Sequence, residues 1–427
     1  MSAPKRQLGL FDATMIVMGG IVGAGIFANP SEVAHRVNTP ALILGAWALG
    51  GLLALFGAFI WAELATRLPG AGGQYLYLRE AWHPAVAFVY GWVLLLVTQT
   101  GGMAAVAVTF ALYFRRLTGV PWSDSAIAAA VLLGLTAINC FGARAGSNVQ
   151  SALMVLKIGA IAALVAIGFL FGGAAPAASA DIPFAWGSIG AAMIPVAFAY
   201  GGWQTATFVA GEMRDPRRDL SRGIVMGVIG VVALYLAVNA VCLRVLGPHG
   251  LDATSTPASE VMRAAMGERG ARWIAVGIAI STLGFLSQGM LTAPRVYYAM
   301  ARDGLFFKSV GRLSARTGAP VLAIVLQGIA ATLIACSGKY GEILNFEVTV
   351  DFISFGMTAA ALFVFRRRQA SGEGIYLAPG HPYTTIVFVL ACAGIVGSAI
   401  AAGPKNAAIA LGILLAGIPV YWYWSRK

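Results

Sequence analysis

The residues able to do chemistry are few and widely spaced. Four cysteines, Cys140, Cys242, Cys336 and Cys392, stand alone, with no CxxC or Cys/His spacing that could hold a metal, and read as small packing residues. The histidines, His35, His83, His249 and His381, have no Ser or Cys nucleophile in sequence reach. Neither a metal, a cofactor nor a catalytic triad is expected. Three other features carry chemistry. Lys157 stands inside the apolar run NVQSALMVLKIGAIAAL, and Glu347 and Asp351 are four residues apart, which puts them on one helix face. Glycines at 19, 20, 23 and 25 crowd the middle of MIVMGGIVGAGIFANP, and Gly201 and Gly202 interrupt MIPVAFAYGGWQTATFVAGEM in the same way.

The elements that position these groups follow from composition. Of 427 residues, 59% are hydrophobic and 11% charged, with mean hydropathy +0.79; soluble chains are about 25% charged. This is the composition of an all-α integral membrane protein. A span needs about 20 mostly apolar residues, and about twelve such stretches can be placed: roughly 10–34, 40–66, 84–113, 126–143, 147–173, 188–211, 222–246, 271–299, 320–337, 342–366, 382–403 and 406–424. The longest polar interval, roughly 247–270, has too little apolar surface for a separate domain, so one transmembrane domain over 1–427 is expected. MSAPKRQ runs directly into the first span, and no cleavable signal is expected. The net charge of +12 is divided among loops: with the N-terminus cytoplasmic, 19 of the 29 basic residues fall inside, nine outside, and Lys157 within a span. That is the positive-inside bias, with both termini cytoplasmic. Charges scattered over separate loops argue against nucleic acid as a partner and leave the lipid bilayer.

Glycines at mid-span have two readings. Small residues let membrane helices approach closely. Alternatively the helix breaks there, and the freed N–H groups of Ala24, Gly25 and Ile26, at the positive end of a second half-helix, form an anion site without a charged side chain. Such a break persists only where it lines a cavity or is buried in protein. Two interrupted spans, first and sixth of twelve, are the pattern of an inverted five-helix repeat with its binding site at the midplane. The repeats then cover 10–173 and 188–366, and 382–424 adds two helices.

IVGAGIFANP resembles the first-helix signature of the amino acid, polyamine and organocation transporter superfamily, and FAYGGWQTATFVAGEMRDPRRDL is similar to the sixth helix and following loop of its L-type amino acid transporter branch. AELATRLPGAGGQYLYLREAW, STLGFLSQGMLTAPRVYYAMARDG and VDFISFGMTAAALFVFRRR extend the resemblance, in order, to residue 368 or so. The sequence departs from the pattern at Gly211, where an acid is common, and at IYLAPGHPY, where relatives carry a basic residue. The resemblance implies a pocket made mainly of backbone. Ala24, Gly25 and Ile26 amides would hold an α-carboxylate, and the carbonyls of Ile21, Phe198, Ala199 and Gly201 an α-ammonium, with Phe198 closing over substrate and Trp203 shaping the wall. The loop FRRLTGVPWSD lacks the cysteine that bonds a heavy chain in eukaryotic members, so no disulfide-linked partner is expected.

Lys157 lies ten residues past Ser147, roughly 15 Å into the membrane at about 1.5 Å per residue. An ammonium at that depth needs a partner and is functional by default. The resemblance places it where sodium-coupled members of the fold bind a cation, beside a hydroxyl that maps to Ser281. It implies sodium-independent transport, with proton coupling as a further use of Lys157. The segment TQTGGMAAVAVTFALY is small and apolar, and no carboxylate is apparent beside the breaks, so small neutral L-amino acids are the expected substrates. Glu347 and Asp351 read as a solvated vestibule or structural contact; in the pocket, they would bring back cationic substrates or polyamines. RLPGAGGQYLYLREAW, with Arg79 and Glu80, and RDPRRDLSR are either an ion-paired inner gate or orientation signals. The expected protein is a secondary transporter of the plasma membrane working by alternating access. Amino acid exchange is the first expectation and proton symport the alternative. A membrane-embedded transferase would need clustered catalytic side chains that the sequence lacks.

Overall fold

The computed structural model describes residues 5–37, 39–175, 186–338, 340–369 and 372–426. Lys339 and Lys427, both in the charge count above, lie outside them. The described chain is helical, with one isolated bridge between Leu8 and Met213. In order the helices are α1 (Leu10–Ile21), α2 (Gly25–Arg36), α3 (Pro40–Arg67), α4 (Gln74–Ala81), α5 (Pro84–Val93), α6 (Gln99–Thr118), α7 (Asp124–Cys140), α8 (Ala143–Phe171), α9 (Trp186–Tyr200), α10 (Ser221–Asp252), α11 (Pro257–Thr292), α12 (Pro294–Arg302), α13 (Val321–Ser337), α14 (Tyr340–Arg368), α15 (Tyr383–Ala402) and α16 (Pro404–Ser425). Several starts are written in the sequence. Thr39 and Ser123 side chains accept from Leu42 N (3.3 Å) and Ala126 N (3.2 Å), and Pro40 and Pro84 occupy first-turn positions where no N–H is needed.

Among the described residues, eight helical runs are long and apolar enough to cross a membrane, and α1 with α2, bent by 43° at their break, makes a ninth. Two further apolar helices, α7 and α13, have 17 residues each. The stretch expected at 188–211 is α9 followed by a tight 3₁₀ helix, Trp203–Glu212. The polar interval at 247–270 differs from a plain loop: α10 runs on to Asp252 past a non-helical Gly247, and α11 starts at Pro257 with a break at Gly267. Its first turns are amphipathic, burying Ala258, Val261 and Met262 while Arg263 and Glu268 pair at the surface, a pattern too short to register as a span.

In lipid, helix association rests on close packing. Glycine supplies it where α1 meets α10: a methyl built on Gly223 or Gly227 would stand 2.5 or 2.6 Å from Ala13 Cβ and Val17 Cγ1. α8 packs on α11, α3 on α10, and α13 on α6 and α7. One buried ionic node fastens one end of the bundle. Glu63, fully buried, accepts from Arg67 (2.6 and 2.9 Å), Arg366 (2.6 and 2.9 Å) and the Ala378 amide (2.7 Å), so its carboxylate is satisfied from three segments.

Both described ends of the chain lie on that same face: Gln7 and Leu8 bond to Glu212, and Trp424 packs against Phe306 and Phe307. The face is closed in layers. Arg295 of α12 forms a bidentate pair with Glu212 (2.8 and 3.1 Å), Gly72 N donates to Phe208 O (3.1 Å), and Arg214 N donates to Leu8 O (2.8 Å). Of the segments expected as a gate, Arg79 pairs with Glu80 and with Asp303, which directly follows α12, whereas Asp215 caps Arg218 N (3.1 Å).

Candidate functional site

Both interrupted helices break at the centre of the bundle, and their backbones touch. Gly202 has φ +117°, and a Cβ there would lie 2.1 Å from Gly20 O. One built on Gly20 would lie 2.8 Å from Gly202 O. Glycine is required on both sides of the contact, for conformation at Gly202 and for space at each. Gln288 of α11 braces it from behind, donating to Thr205 Oγ1 (2.6 Å), and Thr205 donates to Gly202 O (2.6 Å).

The breaks open onto a cavity of ≈ 260 Å³. Ile21, Ala24, Gly25, Phe198, Ala199 and Gly201 line it together. Ile26 and Trp203 do not: Ile26 has a fully buried side chain, and Trp203 packs between Trp61, Phe355 and Phe388 at centroid distances of 5.2 to 6.2 Å. The Trp203 ring supports the wall through Phe355, which does line the cavity. Phe198 is 42% exposed, the sole ring of the two breaks presented so openly among the described residues. The remaining wall comes from α5 and the turn after it (Tyr90, Leu94 and Thr98), from α6 (Gly102, Ala105 and Thr109), from α11 (Phe285 and Gln288) and from α14. Ala28 is exposed and Asn29, Val106 and Thr109 are partly so, whereas Gly20, Tyr90, Gln204, Thr205 and Gln288 are buried, so the cavity opens past Asn29 and Thr109 and is closed at its other end.

Polar groups at the breaks are unequally occupied. Gly25 and Ile26 open α2, so their N–H groups have no partner within the helix, whereas Phe27 N already donates to Ala24 O (3.1 Å). At the other break, Gly202 N is taken by Gln204 Oε1 (3.1 Å). The start of α2 is therefore the open positive helix end. Among the carbonyls, Val22 O accepts from Lys157 Nζ, and Gly23 O accepts from the Ser281 hydroxyl (3.1 Å). Lys157 is fully buried and is not on the cavity wall. It ties α8 to the break from behind, as Ser281 ties α11.

One feature of the site was not picked out from sequence, and a second was left open there. Tyr235 of α10, fully buried, places its hydroxyl 3.1 Å from both Ile21 O and Ala199 O, one carbonyl from each broken helix. Each carbonyl keeps a second lone pair for another donor. Packing against Trp47 and Tyr200 holds the ring in place, so Tyr235→Phe removes the clip with little change of shape. It is expected to raise the substrate KM about fivefold, the equivalent of roughly 1 kcal/mol for one net hydrogen bond, with thermal stability nearly unchanged; an unaltered KM would show that the clip is not used. The second feature is acidic: the sequence left Glu347 and Asp351 of α14 between a vestibule or structural contact and the pocket, and both line the cavity.

Two abutting helix breaks at a closed-ended cavity in a helical membrane bundle define a transporter, and the amino acid permease model matches residues 8–422: the chain belongs to the amino acid permease family, within the superfamily its motifs resemble. It is a multi-pass membrane transporter of amino acids. It is 29% identical to the serine/threonine exchanger SteT of Bacillus subtilis over 433 residues, covering 99% of this chain and 98% of that protein. It is also 29% identical to the human b(0,+)-type amino acid transporter 1 (85% of this chain, 76% of that one). Against the mouse large neutral amino acids transporter small subunit 2 the identity is 27% (100% and 82%).

Proposed function

We propose that this chain exchanges small neutral L-amino acids across the plasma membrane, independently of sodium, by alternating access. The observation that carries the reading is the meeting of two helix breaks at one cavity, with the open N-terminus of α2 on one side and carbonyl ends of α1 and α9 on the other. The α-carboxylate sits on the amides of Ala24, Gly25 and Ile26. The α-ammonium is held by the carbonyls of Ile21, Phe198, Ala199 and Gly201, and Phe198 closes over the substrate. An amino acid carries both charges in fixed relation, so a site with both helix polarities recognises it without an ionised side chain. The small lining of α6 suits small side chains. The two five-helix repeats, 10–173 and 188–366, move against each other around this point, with both termini cytoplasmic.

Lys157 and Ser281 take the place of a coupling cation: an ammonium on Val22 O supplies the positive charge that sodium would bring to the same carbonyl cluster. Proton symport is the competing mechanism, since the same amine can carry a proton. Both are separated by uptake of labelled alanine, serine and leucine into proteoliposomes without sodium, at equal pH across the membrane, with and without amino acid inside. Exchange predicts strong stimulation by preloading, and symport predicts equal uptake into empty vesicles and a response to an imposed pH gradient. No uptake of any of the three would overturn the neutral assignment. In the same assay Lys157→Ala is expected to slow transport at least about tenfold, a loss near 1.4 kcal/mol, and to change its pH profile. An unchanged rate and profile would remove Lys157 from the coupling step.

A further inference from the structure

The acidic pair on α14 is unmatched by the protein around it. Glu347 and Asp351 stand one turn apart on the cavity wall, and neither forms an ion pair among the described residues. Glu347 lies against α6: a methyl built on Gly102 would be 3.3 Å from its Oε1 and 3.6 Å from its Oε2. Its Oε2 is buried without a hydrogen-bond partner. A second, independent group points the same way. Thr98, 8% exposed and lining the same cavity, has a hydroxyl with no partner. Tyr90 is the other titratable side chain on this wall. Of the buried cations, Lys157 is committed to Val22 O and Arg295 to Glu212, and both lie off the wall.

Carboxylates at membrane depth are expensive unless a cation or proton reaches them. Here the cavity itself is the route by which a cation arrives. We propose that the Glu347–Asp351 pair, with Thr98, is a side-chain subsite for cationic amino acids, so that the transporter accepts arginine-like substrates as well as neutral ones. The inference rests on the reading that the α-groups are held at the helix breaks. With those ends fixed, the substrate side chain extends between α6 and α14, where the carboxylates stand. A guanidinium fits better than a lysine ammonium, because its planar fork of five N–H donors can serve two carboxylates at once. The Thr98 hydroxyl can accept one further N–H.

The test measures uptake of labelled alanine and labelled arginine into alanine-loaded proteoliposomes by the full chain and by its Glu347→Gln and Asp351→Asn variants. Arginine is expected to enter and to compete with alanine in the unaltered protein. In each variant, the ratio of arginine to alanine kcat/KM is expected to fall at least about tenfold. Alanine exchange that arginine neither shares nor inhibits would overturn the subsite and leave the helix-break reading standing. So would an unchanged ratio in both variants. Should neither variant insert, competition in the unaltered protein, together with arginine's protection of the two carboxylates from a carbodiimide, decides the matter: an absence of both overturns the proposal. Failure of alanine and arginine alike would overturn the helix-break reading and the subsite with it.

Discussion

Gly202→Ala is expected to abolish transport in a protein that still inserts in the membrane. The new methyl would sit 2.1 Å from Gly20 O, 2.5 Å from Gly20 C and 3.1 Å from Ile21 N. All three are backbone atoms, so no side-chain rotation relieves the clash. The residue must also hold φ +117°, a conformation that costs a non-glycine residue about 1–3 kcal/mol. The cheapest relief is separation of the two breaks, which displaces Ile21, Ala199 and Gly201 from their common cavity. A displacement near 1 Å at a positioning group costs on the order of 100-fold in rate, and exchange at or below that level is the expected reading in proteoliposomes. Gly134→Ala, where a methyl meets nothing within 4 Å, serves as the control. Normal exchange by the Gly202 variant would mean that contact between the breaks is dispensable.

The second large effect concerns the closed face. Arg295 and Glu212 have side chains only 2% and 5% exposed, and Glu212 O also accepts from Gln7 N (2.8 Å) and Leu8 N (3.0 Å). Three segments therefore converge on one residue: the start of the chain, the end of the 203–212 helix, and α12. Arg295→Met leaves a buried carboxylate alone, a change worth about 3–5 kcal/mol of destabilisation. Thermal unfolding in detergent should show it. Adding Glu212→Leu is expected to recover most of the loss, because the pair's attraction roughly balances the desolvation of its charges. The double variant should then be stable yet transport poorly, with its cavity less firmly sealed at this face. A loss in the double variant equal to the sum of the losses in Arg295→Met and in Glu212→Leu alone would show that the groups do not act as a pair.

How much of this was legible in the sequence depends on what each residue signals. The helix breaks were, because glycines clustered at mid-span are unfavourable for a plain helix and invite another explanation. Lys157 was, because an ammonium in an apolar run needs a reason. Tyr235 was not: it is one of 13 tyrosines, in a span whose periodicity gives no sign that its hydroxyl meets two carbonyls. Trp203 follows the second break directly, which suggested the pocket wall, but the 3₁₀ turn that begins there sends the ring toward Trp61. Glu347 and Asp351 were visible as a pair, but which way they face was not, since α14 packs against α6, α15 and α16 and offers no single polar side. The amphipathic turns after Pro257 were hidden by their charges.

A backbone amide has no codon of its own. At the start of α2, the N–H groups of Gly25 and Ile26 are offered by the fold, so substitutions elsewhere on the cavity wall cannot delete them. The walls on α6 and α14 are built of ordinary side chains and can be rewritten residue by residue. Recognition of the part shared by every amino acid is thereby separated from recognition of the part that differs. A change of diet, from a neutral to a charged side chain, would require new residues on α6 and α14 and none at the breaks after α1 and α9.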